Sequence, residues 1–351
     1  MDGCYRPGEV TAIKRIDERL EKAEMKQTRI GFIGAGFVAG KHLRALQGFD
    51  DVMVAAVADP TPERAQSFAE RCGGTAHSSA LDMLEKEQLD AVYICVPPFA
   101  HGPLEAAILE RGLPFFVEKP LATDLATAET IADLVAARGV VTATGYHWRY
   151  LDTTEQAQEL LSKNPPRLML GYWLDVTPPP EWWVTEASSG GQIVEQTTHI
   201  FDLTRLLVGE VTRVYAVSSR TERPAYPHAD ICDVSAATLH FASGAVGTIA
   251  STCLVHWPHR MGLHLIGEGM VIELTEFDMI VDTGQGRPLQ QVKVNPFARE
   301  DRDFIDAVQG KPNRIRVPYA EALKTHRLVT AVARSAREGH ALDLESETTS
   351  R

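Results

Sequence analysis

Residues 29–60 of this 351-residue chain read RIGFIGAGFVAGKHLRALQGFDDVMVAAVADP: an apolar run, a glycine-spaced turn, a helical pattern and a second apolar run closed by an acid. That order predicts a βαβ unit. Ala39, Leu43 and Leu46 recur at i, i+4 and i+7, so they share the helix face that packs on a sheet. The turn is G-x-G-x-x-A. Gly34 allows its tight bend, Gly36 removes a Cβ from the path of a pyrophosphate, and Ala39 lets helix and strand approach closely. Asp59 lies 23 residues beyond Gly36, where a carboxylate can accept both hydroxyls of an adenosine ribose. Its other reading is a helix-capping carboxylate. An acid there repels a 2′-phosphate, and Pro60 and Thr61 follow it rather than Arg or Lys, which favours NAD over NADP.

The alternation continues. A helix is expected from Thr61-Pro62-Glu63, with a cap, an early proline and an acid at the positive end of the dipole. LDAVYICVPP follows as a strand, then a helix from about Pro103 to Arg111, the strand PFFVEKP, a helix over 124–138 and the strand VVTATGY. Strands alternating with helices over about 120 residues predict a Rossmann-type, doubly wound parallel α/β sheet. After His147 the texture changes. All five tryptophans lie beyond that point, with β-rich runs such as VTRVYAVSSR, CDVSAATLHFASGAVGTIAST and MGLHLIGEGMVIEL. Their Ser-Gly and Glu-Gly pairs predict hairpins in an α+β domain, followed by helices over 299–310 and 318–337. The expected division is an extension over 1–24, a dinucleotide domain over 25–147 and a substrate domain over 148–351.

Partners are narrowed by charge. Lys plus Arg number 35 against 47 Asp plus Glu, a net −12, which disfavours nucleic acid and anionic membranes. A pyrophosphate on a helix start is unaffected by that balance. Cys4, Cys72, Cys95, Cys232 and Cys253 are scattered without a CxxC pair, as in a reduced, cytoplasmic protein. No apolar stretch has membrane-spanning length. Residues 1–24 read either as a short amphipathic helix carrying Ile13, Ile16 and Leu20 or as a dispensable extension before Met25. The last residues, SETTSR, are expected to fray.

Two further segments carry chemistry. Glu118, Lys119 and Pro120 close the fifth strand, and strand carboxyl ends face the ligand crevice of such a sheet, so Lys119 is aimed at a bound substrate. The plainer reading is a surface lysine paired with Glu118. In GGQIVEQTTHIFDL, a helix starting after the glycines puts Glu195, His199 and Asp202 at i, i+4 and i+7 on one face. Flanking carboxylates would then orient the histidine and tune it as a general base. A facial metal triad is the rival reading, and structural hydrogen bonds are the plain one. Trp182 and Trp183 stand in the proline-stiffened loop TPPPEWWVTEASSGG, either to lay an indole on a sugar ring or to serve in buried loop packing or a subunit contact. Trp148 and Arg149 either line the cleft or form a hinge. His256 and His259 have HxxH spacing without an evident third ligand.

In that order, GFIGAGFVA, AAVADP, VPPFAH, VEKPLA and GGQIVEQTTHIFD resemble the glucose-fructose oxidoreductase / inositol dehydrogenase (Gfo/Idh/MocA) family. The resemblance runs from about Thr28 to Leu207 in motif order. It implies a Rossmann domain followed by a mainly antiparallel open sheet through which subunits associate as a homo-oligomer. It implies cofactor contacts from Gly34, Gly36, Phe37, Val38, Asp59, Pro97, His101, Glu118 and Lys119, and a cis bond before Pro120. Lys119 matches the lysine that hydrogen-bonds the reacting oxygen, and His199 matches the general acid/base. Glu195 stands where most members carry Asp, and Gln192 and Thr197 replace small residues. Trp148, Arg149, Trp182, Trp183, Glu195, His199 and Lys119 are the expected substrate side, with no metal. The implied activity is NAD(P)-dependent hydride transfer between a secondary alcohol of a sugar, cyclitol or sugar derivative and nicotinamide, with NAD favoured. The alternatives are a non-catalytic NAD-responsive regulator and a dehydrogenase of a non-carbohydrate.

Overall fold

The computed structural model describes residues 27–344; the expectations for residues 1–24 and for the last residues lie outside them. The described residues open with β1 (Thr28–Ile33), α1 (Phe37–Leu46), β2 (Val52–Ala58), α2 (Pro62–Cys72), β3 (Thr75–His77), α3 (Ala80–Lys86) and β4 (Ala91–Ile94). It continues through α4 (Pro103–Glu110), β5 (Phe115–Val117), α5 (Leu125–Arg138) and β6 (Thr142–Thr144). The six strands form one sheet in the order β3-β2-β1-β4-β5-β6, every pair parallel. Its reversal point lies between β1 and β4, so their carboxyl ends open a crevice. Ala39, Leu43 and Leu46 are buried to 1% exposure or less, and burying one leucine is worth about 1.5–3 kcal/mol. Asp124 caps α5 by accepting from the Thr127 N–H. The hydroxyl of Thr61 makes no capping bond at the start of α2; Asp59 accepts the Thr61 N–H instead.

Beyond β6 come α6 (Asp152–Lys163), β7 (Leu168–Leu174), α7 (Glu186–Ser189), α8 (Gly191–Glu195), α9 (Thr198–Val208), β8 (Val211–Ser219), β9 (Val234–Phe241) and β10 (Val246–Thr252). The rest is β11 (Arg260–Gly267), β12 (Met270–Thr275), β13 (Asp278–Asp282), β14 (Leu289–Gln291), α10 (Pro296–Val308), α11 (Tyr319–Glu338) and β15 (Leu342–Asp343). A nine-stranded sheet runs β14-β13-β12-β11-β7-β10-β9-β8-β15. Among the described residues, only β7 and β10 of this sheet pair in parallel. Glycines at positive φ, Gly244 and Gly269, turn the two anticipated hairpins.

One face of this sheet is covered. Ile200, Leu203 and Phe201 of α9 and Leu328, Val329 and Val332 of α11 pack on Met169, Ile249, Leu263 and Leu239. A Cβ at Gly171 would stand 2.9 Å from Ile200, which is how closely α9 crosses β7. The opposite face exposes Leu168, Leu170, Tyr215, Val217 and Val246.

The C-terminal helices do not stay with the second sheet. Phe304 and Ile305 of α10 join the core under β1, β4 and β5, and Tyr319, Ala322 and Leu323 of α11 join the core on the other side of the first sheet. The chain thus returns to the dinucleotide unit after building the second sheet, an arrangement that the linear division at His147 does not contain.

Candidate active site

The glycine turn is fixed by its own backbone. Gly34 has φ +95°, and a Cβ there would lie 2.2 Å from the Cys95 carbonyl oxygen. Gly36 is different: a Cβ there would meet no protein atom within 4 Å. Gly36 starts α1 without a side-chain cap, and Phe37 beside it is 78% exposed. The first N–H groups of α1 therefore face open space, a cradle suited to a pyrophosphate. Asp59 is buried and uses both oxygens on backbone, accepting from Ala35 N–H at 3.0 Å and Thr61 N–H at 2.8 Å. It ties the glycine turn to the start of α2, and each oxygen keeps a lone pair for a further donor. Val38 is half-buried beside Phe37, and Pro97 is half-buried at the end of β4. His101 is buried and turned into the start of α4, where its Nδ1 meets Glu105 at 2.6 Å and its Nε2 has no partner.

At the end of β5 the Lys119-Pro120 bond is cis. Lys119 does not pair with Glu118. Its ammonium donates to Glu195 Oε1 at 2.7 Å and to the Glu195 carbonyl at 2.8 Å, closing the end of α8. The second carboxylate oxygen of Glu195 accepts the Trp183 indole N–H at 2.7 Å. An ammonium from the first sheet and a carboxylate from the second unit thus meet across the seam.

Sequence spacing misplaced two members of the expected helical triad. The helix breaks at Gln196 and Thr197, so Glu195 ends α8 while His199 lies in the first turn of α9. Glu195 turns to Lys119. Asp202 turns to Arg149, which donates to its two oxygens at 2.7 Å each, and also accepts from Thr325. Neither acid hydrogen-bonds His199, whose Nδ1 is buried without a partner. These three residues therefore do not converge as a metal triad. Arg149 does not line the cleft; it also donates to Glu321 and belongs to a buried ion network.

The surroundings of His199 are aromatic. Its ring lies 5.8 Å from Trp173 and 6.3 Å from Trp148, nearly parallel to both, and edge-on to Tyr146 at 5.8 Å and His147 at 5.1 Å. Burial, reinforced by the charges of Lys119, His147 and Lys41, holds His199 well below the ordinary imidazole value. It is neutral near pH 7, the protonation state of a base. Trp148 and Trp183 are each 1% exposed, so neither presents a free indole face for sugar stacking; Trp183 serves Glu195 instead. Trp182 is half-buried. His256 and His259 lie in an exposed connection, and no third ligand atom gathers with them among the described residues.

Several polar residues at the site escaped the sequence analysis. His147 meets Glu276 at 3.3 Å and stacks on Phe297 at 4.5 Å, and Lys41 lies 4.7 Å over the same Phe297 ring. His42 on α1 is fully buried between Glu118 and Asp301. Its signal was legible: with Ala39, Leu43 and Leu46 it lies on the core-facing stripe of α1, where a histidine requires partners.

The sequence matches the Gfo/Idh/MocA profile described as "Oxidoreductase family, NAD-binding Rossmann fold" over residues 28–146, and the GFO/IDH/MocA C-terminal domain over residues 167–273. It is 28% identical over 226 residues to a myo-inositol 2-dehydrogenase of Thermotoga maritima, covering 63% of this chain and 67% of the relative. It is 30% identical over 232 residues to an inositol 2-dehydrogenase of Saccharopolyspora erythraea, covering 64% and 66%. Levoglucosan dehydrogenase in complex with NADH superposes with a TM-score of 0.82 at 21% identity, over 91% of this chain and 100% of that one. The two matched segments, the two sheets and the crevice between them together make this chain a member of the Gfo/Idh/MocA oxidoreductase family, built on an NAD-binding Rossmann fold.

Proposed function

We propose that the protein oxidises a secondary alcohol of a sugar or cyclitol with NAD, using Lys119 and His199 on opposite sides of the crevice. The observation that carries the reading is the junction of Lys119 with Glu195, next to a buried, neutral His199. Removal of hydride from a carbinol carbon requires its hydroxyl proton to leave. His199 takes that proton through Nε2, since its Nδ1 is buried in the protein. Lys119 donates to the developing alkoxide in a site shielded from water, where such a charge counts for more than in bulk. Glu195, held by Trp183, fixes the ammonium from behind. When bound, NAD supplies the carbon that accepts the hydride.

The open ground over Gly36 and the free N–H groups of α1 would hold the pyrophosphate, and Asp59 the adenosine ribose. Its negative charge favours NAD over NADP. The sugar or cyclitol class rests on the inositol dehydrogenases among the relatives. We assign association of subunits to the uncovered face of the nine-stranded sheet, where five large apolar side chains are exposed. The free cysteines among the described residues fit a reducing cytoplasm.

The test is reduction of NAD on a panel of inositols, hexoses and anhydrosugars at mildly alkaline pH. Turnover on at least one member is expected. Tight NAD binding with no turnover on any carbohydrate would contradict the reading and favour a regulator or another substrate class.

A further inference from the structure

Behind the crevice, three segments distant in sequence meet in one buried polar knot. His42 of α1 approaches Asp301 of α10 through Nδ1 at 2.7 Å and Glu118 at the end of β5 through Nε2 at 2.8 Å. All three are shielded from solvent, and the His42 ring packs on Phe116, Tyr93 and Phe297 at 4.8, 5.3 and 5.4 Å. The Glu118 carboxylate occupies space that only a glycine concedes: a Cβ at Gly145 would fall 2.3 Å from its Oε1. Residue 118 is the immediate neighbour of Lys119, and α1 is the helix whose start forms the dinucleotide cradle.

We propose that His42 is a positioning residue, bridging Asp301 and Glu118 so that the cofactor helix, the Lys119 strand end and α10 keep one fixed spacing. This rests on the dehydrogenase reading of the Lys119 site. Burial alone would pull His42 down, but the charge of Asp301 and hydrogen bonds to Asp301 and Glu118 outweigh it and hold the ring well above its ordinary value. The imidazolium spends both N–H groups on carboxylates and has no lone pair for a metal. Burial pushes Glu118 up, whereas the hydrogen bond and charge of His42, then Lys119 and His147, bring it below the usual range. Every neighbouring element contributes a charged or titratable group: Lys41 from α1, Tyr93 and Cys95 from β4 and the residues after it, Lys119 after β5, His147 after β6, Glu300 and Asp301 from α10. Burial raises Glu300 well above the usual carboxylate range.

Two substitutions have opposite expected signs. His42→Gln removes the cation, so Glu118 takes up a proton as pH falls; NADH affinity and turnover should each drop by about tenfold between pH 8 and pH 6, beyond any change in the wild type. Asp301→Asn leaves the ring in place but removes the charge that keeps it protonated. Its losses of similar size should appear as pH rises over that range. NADH fluorescence titrations and steady-state kinetics read both, with melting curves confirming folded protein. If one variant does not fold, the other decides.

Wild-type pH profiles in folded variants, or losses equal at every pH, would overturn the proposal and leave His42 a core residue. The dehydrogenase reading fails separately, if Lys119→Ala turns over like the wild type or no alcohol is oxidised, and the NADH titrations still decide the role of His42.

Discussion

His199 shows how far residue type can mislead about residue state. A histidine with acids at i−4 and i+3 invites the expectation of a carboxylate-oriented imidazole. Here both acids are engaged elsewhere, and burial together with surrounding cations sets its protonation. The sign follows directly. A histidine whose folded value lies below its unfolded value binds its proton more readily when unfolded, so its contribution to stability is lost as pH falls through and below the unfolded value near 6.5. With His199 as the base, wild-type turnover should hold from pH 8 down to about 6.5 and decline only below it. His199→Asn should lower kcat by about 10²- to 10⁴-fold. A kcat-versus-pH profile checks both, and an acid limb centred well above pH 7 that disappears with His199 would contradict the assignment.

At the scale of elements, the break between α8 and α9 matters most. A continuous helix would put Glu195 and His199 on one face, one turn apart; the break at Gln196 and Thr197 sends Glu195 across the seam to Lys119. Local pattern revealed α1, α2, α4, α5, α10, α11, the glycine turn and the hairpins, because each depends on neighbours within a few residues, but it did not single out α3 or α6. It could not reveal which partner each charge takes, because Lys119 and Glu195 are 76 positions apart and His42 and Asp301 are 259 apart. Arg149 illustrates the same limit. It looks like a cleft residue beside Trp148, yet it locks the turn after β6 to α9 through Asp202. Removing one member of a buried, doubly hydrogen-bonded pair costs about 3–5 kcal/mol. Arg149→Met should therefore lose about that much in urea unfolding, while Arg327→Met, at a more exposed pair with Glu129, should lose less than about 1 kcal/mol.

For the whole molecule, α10 and α11 return to the first sheet after the second is built: Asp301 meets His42 of α1, and Phe304 and Ile305 join the core beneath β1, β4 and β5. The second sheet was legible as strands, but nothing in its alternation told which face the helices would cover. The uncovered face has its own consequence. If subunits associate through that face as proposed, a Leu170→Glu and Val217→Glu double substitution should lower the sedimentation coefficient without loss of secondary structure, whereas an unchanged sedimentation coefficient would contradict the assignment of that face. Charge acquires a local meaning at this scale too, since a chain of net −12 gathers Lys41, Lys119 and His147 around one neutral histidine. The claim that this crevice oxidises an alcohol with Lys119 at the reacting oxygen is tested most directly by steady-state NAD reduction in Lys119→Ala. In that variant kcat should fall by about 10²- to 10⁴-fold with the Kd for NAD within about threefold of wild type; near-wild-type turnover would show that Lys119 does not serve the reacting oxygen.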